Sequence, residues 1–167
     1  MPKLLLLSSL SSLTLNLHIP GFFQHGHTYV GHPVACAAGA AVVKAMLNRG
    51  LIDRVKVQGE KLKRRLDAQF GDHSHIGDIR GRGLFLGMEI VQDRNSKAAF
   101  ASSLGINKRF KAAAFEAGLI CYSMGGTIDG KNGDHVLLAP PFIIKDDHIE
   151  EIVSKLDVAL EATLASA

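Results

Sequence analysis

Apolar side chains return every three or four positions over four stretches of the chain, and shorter apolar runs lie between them. From Pro33 to about Asn48, Val34, Ala38, Ala41, Val42, Ala45 and Met46 fall on one side of a predicted helix, and Gly50 supplies a stop. Leu51, Val55, Leu62, Leu66 and Phe70 recur at near-helical spacing with charges between them, which predicts a second helix over 51–70. A third spans Ile106 to Ala117, with Ile106, Phe110, Ala113, Ala114 and Ala117 facing inward and Gly118 ending it. The last begins at Lys145 or Asp146 and runs to Leu164. Its stripe is Ile149, Ile152, Val153, Leu156, Leu160 and Leu164, and Asp146, Asp147 and Glu150 near its start suit the helix dipole.

Between the helices the period changes. Two short apolar runs from Ile76 to Val91 flank the glycine-rich turn Arg80-Gly81-Arg82-Gly83, and the second alternates as a strand does. Leu119 to Tyr122 and Val136 to Ala139 read as further strands, the latter ended by Pro140 and Pro141. Gly71 to His75, Asp93 to Leu104 and Gly125 to His135 are rich in turn formers and read as loops. Gly81-x-Gly83 lacks a long preceding strand and a following helix, so a nucleotide-binding fingerprint is not expected there.

Composition narrows the class. With 167 residues the chain can hold one domain, or one domain and a piece of another; 47% hydrophobic and 21% charged residues exclude wholesale disorder. A net charge of +3 is modest, and its one dense run, Lys61 to Arg65, sits among helical apolar positions. That is a solvated helix face, and nucleic acid is not expected as a partner. Cys36 and Cys121 give no disulfide framework and fit a reducing, cytoplasmic setting. Residues 1–20 open with Met1-Pro2-Lys3 and a leucine run from Leu4 to Leu7 that passes into a Leu/Ser alternation. The run is too short and too rich in serine for a membrane span and is followed by no small-x-small cleavage site, so it reads as a foreign start, with a signal peptide as the alternative.

Candidate chemistry concentrates between Phe22 and Ala38. Aromatics, His25, His27, His32, Gly26, Gly31 and Thr28 lead into Pro33, which fits the first turn of a helix. The N–H groups of that helix start and the Thr28 hydroxyl can serve an anion. The spelling Gly26-His27-Thr28-Tyr29-x-Gly31-His32-Pro33-x-Ala35-Cys36-Ala37-Ala38 resembles the segment after the cofactor lysine in class-III (omega) aminotransferases. Gly133-Asp134-His135-x-x-x-Ala139-Pro140-Pro141-x-Ile143-Ile144 resembles a second segment of the same family. Together they bracket nearly the whole chain outside its first twenty residues.

The resemblance implies an α/β, fold-type-I pyridoxal-phosphate-dependent transferase, of which this chain is the C-terminal part: long helices on a small, mostly antiparallel sheet. Residues 1–20 are a non-family segment, 21–72 the end of the large cofactor domain, and 73–167 the small domain. It implies that Thr28 and His27 bind pyridoxal 5'-phosphate, with Thr28 reaching the cofactor phosphate of the neighbouring subunit of a homodimer. Substrates in the family are primary amines or amino acids and 2-oxo acids. The Schiff-base lysine and the acid that partners the pyridine nitrogen lie upstream of the threonine loop in the family, and the setting of Lys3 has nothing of the lysine motif. The chain alone is therefore expected to have no catalytic residue and no activity without a partner carrying the missing half. Many relatives place a carboxylate-binding arginine three residues before the glycine of Gly-Asp-His; here Gly130 stands there, beside Lys131, so the substrate is not named.

The same residues admit other classes. His25, His27 and His32 with Cys36 suggest a metal module, but no acid or cysteine at regular spacing completes the set, and Cys36 falls in the alanine-rich helix, where it is expected to be buried. His73 and His75 read as an exposed loop. Arg80 and Arg82 read equally as turn arginines or substrate contacts. Cys121 and Ser123 stand in no nucleophile-elbow pattern. A non-enzymatic docking fragment is the main alternative, since a helix deprived of a large domain exposes apolar surface.

Overall fold

The computed structural model describes residues 26, 28 and 30–165. Helix α1 is Pro33–Asn48 and helix α2 is Leu51–Phe70, with Gly50 between them at φ 59. Strands β1 (Ile76–Arg82) and β2 (Phe85–Ile90) form a hairpin. Then come α3 (Ile106–Glu116), β3 (Tyr122–Gly125), β4 (Asp134–Leu138) and α4 (Asp146–Leu164). The four strands make one antiparallel sheet in the order β1-β2-β4-β3. No single helix among the described residues is long and apolar enough to cross a membrane.

Alternation along β2 decides which face is covered. Leu86, Met88 and Ile90 are buried, while Gly87 and Glu89 between them are partly open. Val136 and Leu138 of β4 join the same inner face. Against it pack Leu62, Leu66 and Phe70 of α2, Ile106, Phe110 and Ala114 of α3, and Ile149, Val153, Leu156 and Leu160 of α4. Helical and strand periods thus converge on one core, with α4 packed against both α2 and α3.

The chain divides into two compact units, Met1–Val42 and Val43–Ala167, the division falling within α1. Helix α2 therefore shares the core of the sheet, whereas the expected boundary at residue 72 groups it with the segment before it. Helix α1 has the expected bounds but no buried residue: Val34 and Leu47 are each 71% exposed. Cys36 is exposed too, against the burial expected from its apolar surroundings, because α1 as a whole has no buried residue.

Two strand positions moved. Leu119 to Cys121 were expected in β3, but they lie outside the ladder, and Leu119 completes the exit from α3. Gly118, at φ 78, donates to the Phe115 carbonyl, and the Leu119 N–H donates to Ala114 at 2.8 Å. The ladder starts only at Tyr122, opposite Leu137. Strand β4 begins two residues earlier than expected, because Asp134 and His135 find partners in Ile90 and Glu89.

The glycine-rich turn has a packing reason. A Cβ on Gly59 of α2 would lie 2.3 Å from the Gly83 carbonyl carbon, so helix and hairpin tip touch backbone to backbone. Gly81 and Gly83 also take φ 144 and 57, which side chains rarely adopt.

Candidate functional site

The threonine turn is assembled by the start of α1. Gly31 adopts φ 74 with nothing within 4 Å of where a Cβ would stand, and Pro33 opens the helix without an N–H to satisfy. His32 serves as the cap: its Nδ1 accepts the Ala35 N–H at 3.4 Å and its carbonyl accepts the Cys36 N–H at 3.0 Å. Thr28 lies in this turn and is exposed. His25, His27 and Tyr29 lie outside the described residues. A hydroxyl, a glycine-lined approach and a helix N-terminus suit a dianion such as a phosphate monoester, since none of these donors has to change protonation to bind it.

The Gly-Asp-His segment does something the sequence reading missed. Asp134 is buried, and its Oδ1 accepts the Asn107 N–H at 3.1 Å in the first turn of α3. The residue before that helix, Gly105, has no side chain to cap it. The motif's aspartate is thus a cap supplied from 27 residues away, joining the β3–β4 end of the sheet to α3. A glycine before an uncapped helix was the one signal in the chain, and nothing local names the donor.

Burial pushes the Asp134 carboxyl above its usual 3.8, against the pull of the Asn107 N–H. A carboxyl raised on folding adds stability below its unfolded pKa and loses it as pH rises through its folded value. Asp134→Asn keeps an acceptor without the buried charge, and is expected to match or exceed the parent melting midpoint at pH 7, with the gap closing below about pH 4. Asp134→Ala strips the cap and is expected to cost about 1–2 kcal/mol by urea unfolding.

The loop beyond β3 is closed on itself. Asp129 accepts N–H bonds from Lys131 at 2.9 Å and Asn132 at 2.7 Å, with the Asn132 side chain adding a third at 2.8 Å. These bonds hold its carboxyl below the usual range. Gly130, where many relatives are expected to carry arginine, takes φ 83.

On the open sheet face Arg80 is held by two acids, Asp78 at 2.7 Å and Glu89 at 2.5 Å. Hydrogen bonds to Glu89 and Asp78 raise its pKa, and its own bond lowers that of Asp78. The geometry makes Arg80 a bridge within the sheet, whereas Arg82 at the hairpin tip has no partner among the described residues. A cavity of about 370 Å³ opens here between Arg80, Phe85, Glu89, Lys97, His135 and Leu137.

His73 and His75 are committed internally as well. His73 Nδ1 accepts the His75 N–H, its Nε2 faces Glu161 at 3.4 Å, and His75 Nδ1 donates to the Val91 carbonyl. Among the described residues no three metal-ligating side chains converge. Burial raises the pKa of the half-buried Cys121 thiol, the opposite of what an activated nucleophile needs.

The model of the family "aminotransferase class-III" matches residues 10–160. An uncharacterized aminotransferase of Schizosaccharomyces pombe is 40% identical over 146 residues, which cover 87% of this chain and 31% of that protein. The uncharacterized aminotransferase YodT of Bacillus subtilis is 38% identical over 134 residues, 80% of this chain and 30% of that protein. A crystal structure of a PLP-bound aminotransferase mutant from Vibrio fluvialis superposes with a TM-score of 0.76 at 30% identity, over 95% of this chain and 32% of that one. The chain spans about a third of the length of the relatives it matches.

Proposed function

Since the chain belongs to the class-III aminotransferase family, we propose that it forms the C-terminal third of a pyridoxal-phosphate-dependent transaminase. That enzyme moves an amino group from a primary amine or amino acid to a 2-oxo acid. The observation that carries this reading is an exposed Thr28 in a turn that ends at a helix N-terminus.

The cofactor, when bound, supplies the electron sink that the amino-group transfer requires. This chain's part is to hold and orient it. The Thr28 hydroxyl and, by family resemblance, His27 donate to its phosphate, and the first turn of α1 adds the positive end of a helix dipole. His32, by capping that turn, fixes the direction in which the helix start points. The proton-shuttling lysine comes from a polypeptide segment other than those described, so the 167-residue chain by itself is expected to show no transaminase activity.

A second reading, docking, draws on the exposed side chains of α1, where Val34, Val42 and Leu47 present apolar surface. It joins the first if that surface seats a second protomer, making the homodimer in which Thr28 serves its neighbour. Two unpaired cysteines, Cys36 exposed, support a reducing compartment such as the cytoplasm.

The test is a chimera in which residues 26–164 replace the matching third of the Bacillus subtilis relative. The chimera is expected to bind pyridoxal phosphate, seen by its absorbance after gel filtration, and to transaminate. A folded dimeric chimera that loses the cofactor overturns the proposal, as does transamination by the isolated chain.

A further inference from the structure

Helix α2 carries cations on two flanks, and among the described residues the two flanks are matched unequally. Toward α4, Lys61 pairs with Asp146 at 2.7 Å, Arg65 pairs with Glu150 at 2.6 Å, and Arg54 donates to the Ile144 carbonyl. Toward the tip of the β1–β2 hairpin, Lys56 and Arg64 make no hydrogen bond or ion pair among the described residues, and neither does Arg82 on the tip. These three cations rim a groove of about 810 Å³ whose floor includes Val55 and the buried Leu86. Among the described residues Glu60 is the single acid on the rim, and the groove's fourth cation, Lys63, is already tied to Asp67. Positive charge without an internal partner is thus gathered along one apolar-floored groove, while its neighbours on the same helix are matched.

We propose that this groove receives an acidic stretch of a partner polypeptide. Its carboxylates pair with Arg64, Arg82 and Lys56, and an apolar side chain between them rests on Val55 and Leu86. The two guanidinium groups suit the planar carboxylate, which they can bind through paired N–H donors. The apolar floor adds what a free anion would not use. Nucleic acid fits less well, because among the described residues no aromatic lines the groove for bases to stack on. A second copy of this chain fits less well too, since Asp146 and Glu150 at the start of α4 are already engaged by its own α2.

The experiment titrates the 167-residue chain into a short fluorescein-labelled peptide of alternating aspartate and leucine and follows anisotropy at low and high sodium chloride. Binding is expected, with affinity falling about tenfold or more in R64E/R82E and on raising the salt. The control K44E/K108E, with the same change in net charge outside the groove, is expected to retain it. R64Q/R82Q replaces the reversal if the melting midpoint shifts, and is expected to weaken binding in the same direction. Unchanged affinity in the groove variants overturns the proposal. Equal loss in the control overturns it by showing that net charge alone attracts the peptide. Equal or tighter binding of an oligothymidylate or of anionic lipid vesicles, displacing the peptide, overturns it in favour of those ligands. This inference does not depend on cofactor binding, so the chimera can fail while the groove stands, and the reverse.

Discussion

Gly59→Ala lowers the stability of the Val43–Ala167 unit by about 3 kcal/mol, measured by urea unfolding at 25 °C. In an exposed helix interior the same change would stabilise by up to about 1 kcal/mol, because alanine costs less backbone entropy than glycine. The sign reverses here because the new methyl would stand 2.3 Å from backbone atoms of Gly83. Backbone cannot rotate aside as a side chain does. Either α2 lifts from the hairpin or the tip deforms, and both loosen the seat of Leu62 and Leu86 in the core. Gly39→Ala is the control: it lies in α1 with nothing within 4 Å of the new atom, and should be neutral or slightly stabilising. Equal effects at the two sites would show that the helix–hairpin contact is looser than described.

Thr28→Val weakens binding of pyridoxal phosphate to the chimera by about 10- to 100-fold, read from absorbance titration of the apo-protein. The substitution keeps shape and removes one hydroxyl donor to a charged acceptor, a bond worth about 1.5–3 kcal/mol. Thr28→Ser keeps the donor and should stay within about threefold of the parent. Because Thr28 is exposed, its substitution should leave the melting midpoint of the apo-protein unchanged. A valine variant that binds as tightly as the parent would remove Thr28 from the phosphate contact and leave the helix N-terminus to account for it.

Much of this architecture is legible in the sequence. The bounds of α1 and α2 follow from apolar spacing and from Gly50, whose φ of 59 separates them. The stripe of α4 and the alternation of β2 also emerged as read, because local periodicity and core geometry ask for the same residues there. Where they diverged, the reading shifted. Leu119 to Cys121 have the composition of a strand, yet the hydrogen bonds that close α3 claim the first of them. Val34 and Cys36 have the composition of a core, yet stand open, since burial depends on what else is present to cover a face.

The candidate site divides in the same way. The loop around Thr28 could be singled out because its residues lie together along the chain, and so could the Gly-Asp-His segment. Its role could not, since Asp134 acts on a helix start 27 residues away. Arg80 and Arg82 look alike in sequence, two positions apart; only pairing across strands places one between Asp78 and Glu89 and leaves the other at the tip.

By itself the amino-acid sequence determined the helices, the family and the turn that offers a hydroxyl to an anion, because each depends on side chains within a few residues of one another. The tertiary structure alone decided which aspartate caps α3, why Gly59 tolerates no methyl, and which cations are neutralised. Those outcomes depend on distances between segments far apart in the chain, and a hydrogen bond, a steric contact or an ion pair is set by such distances rather than by order along the backbone.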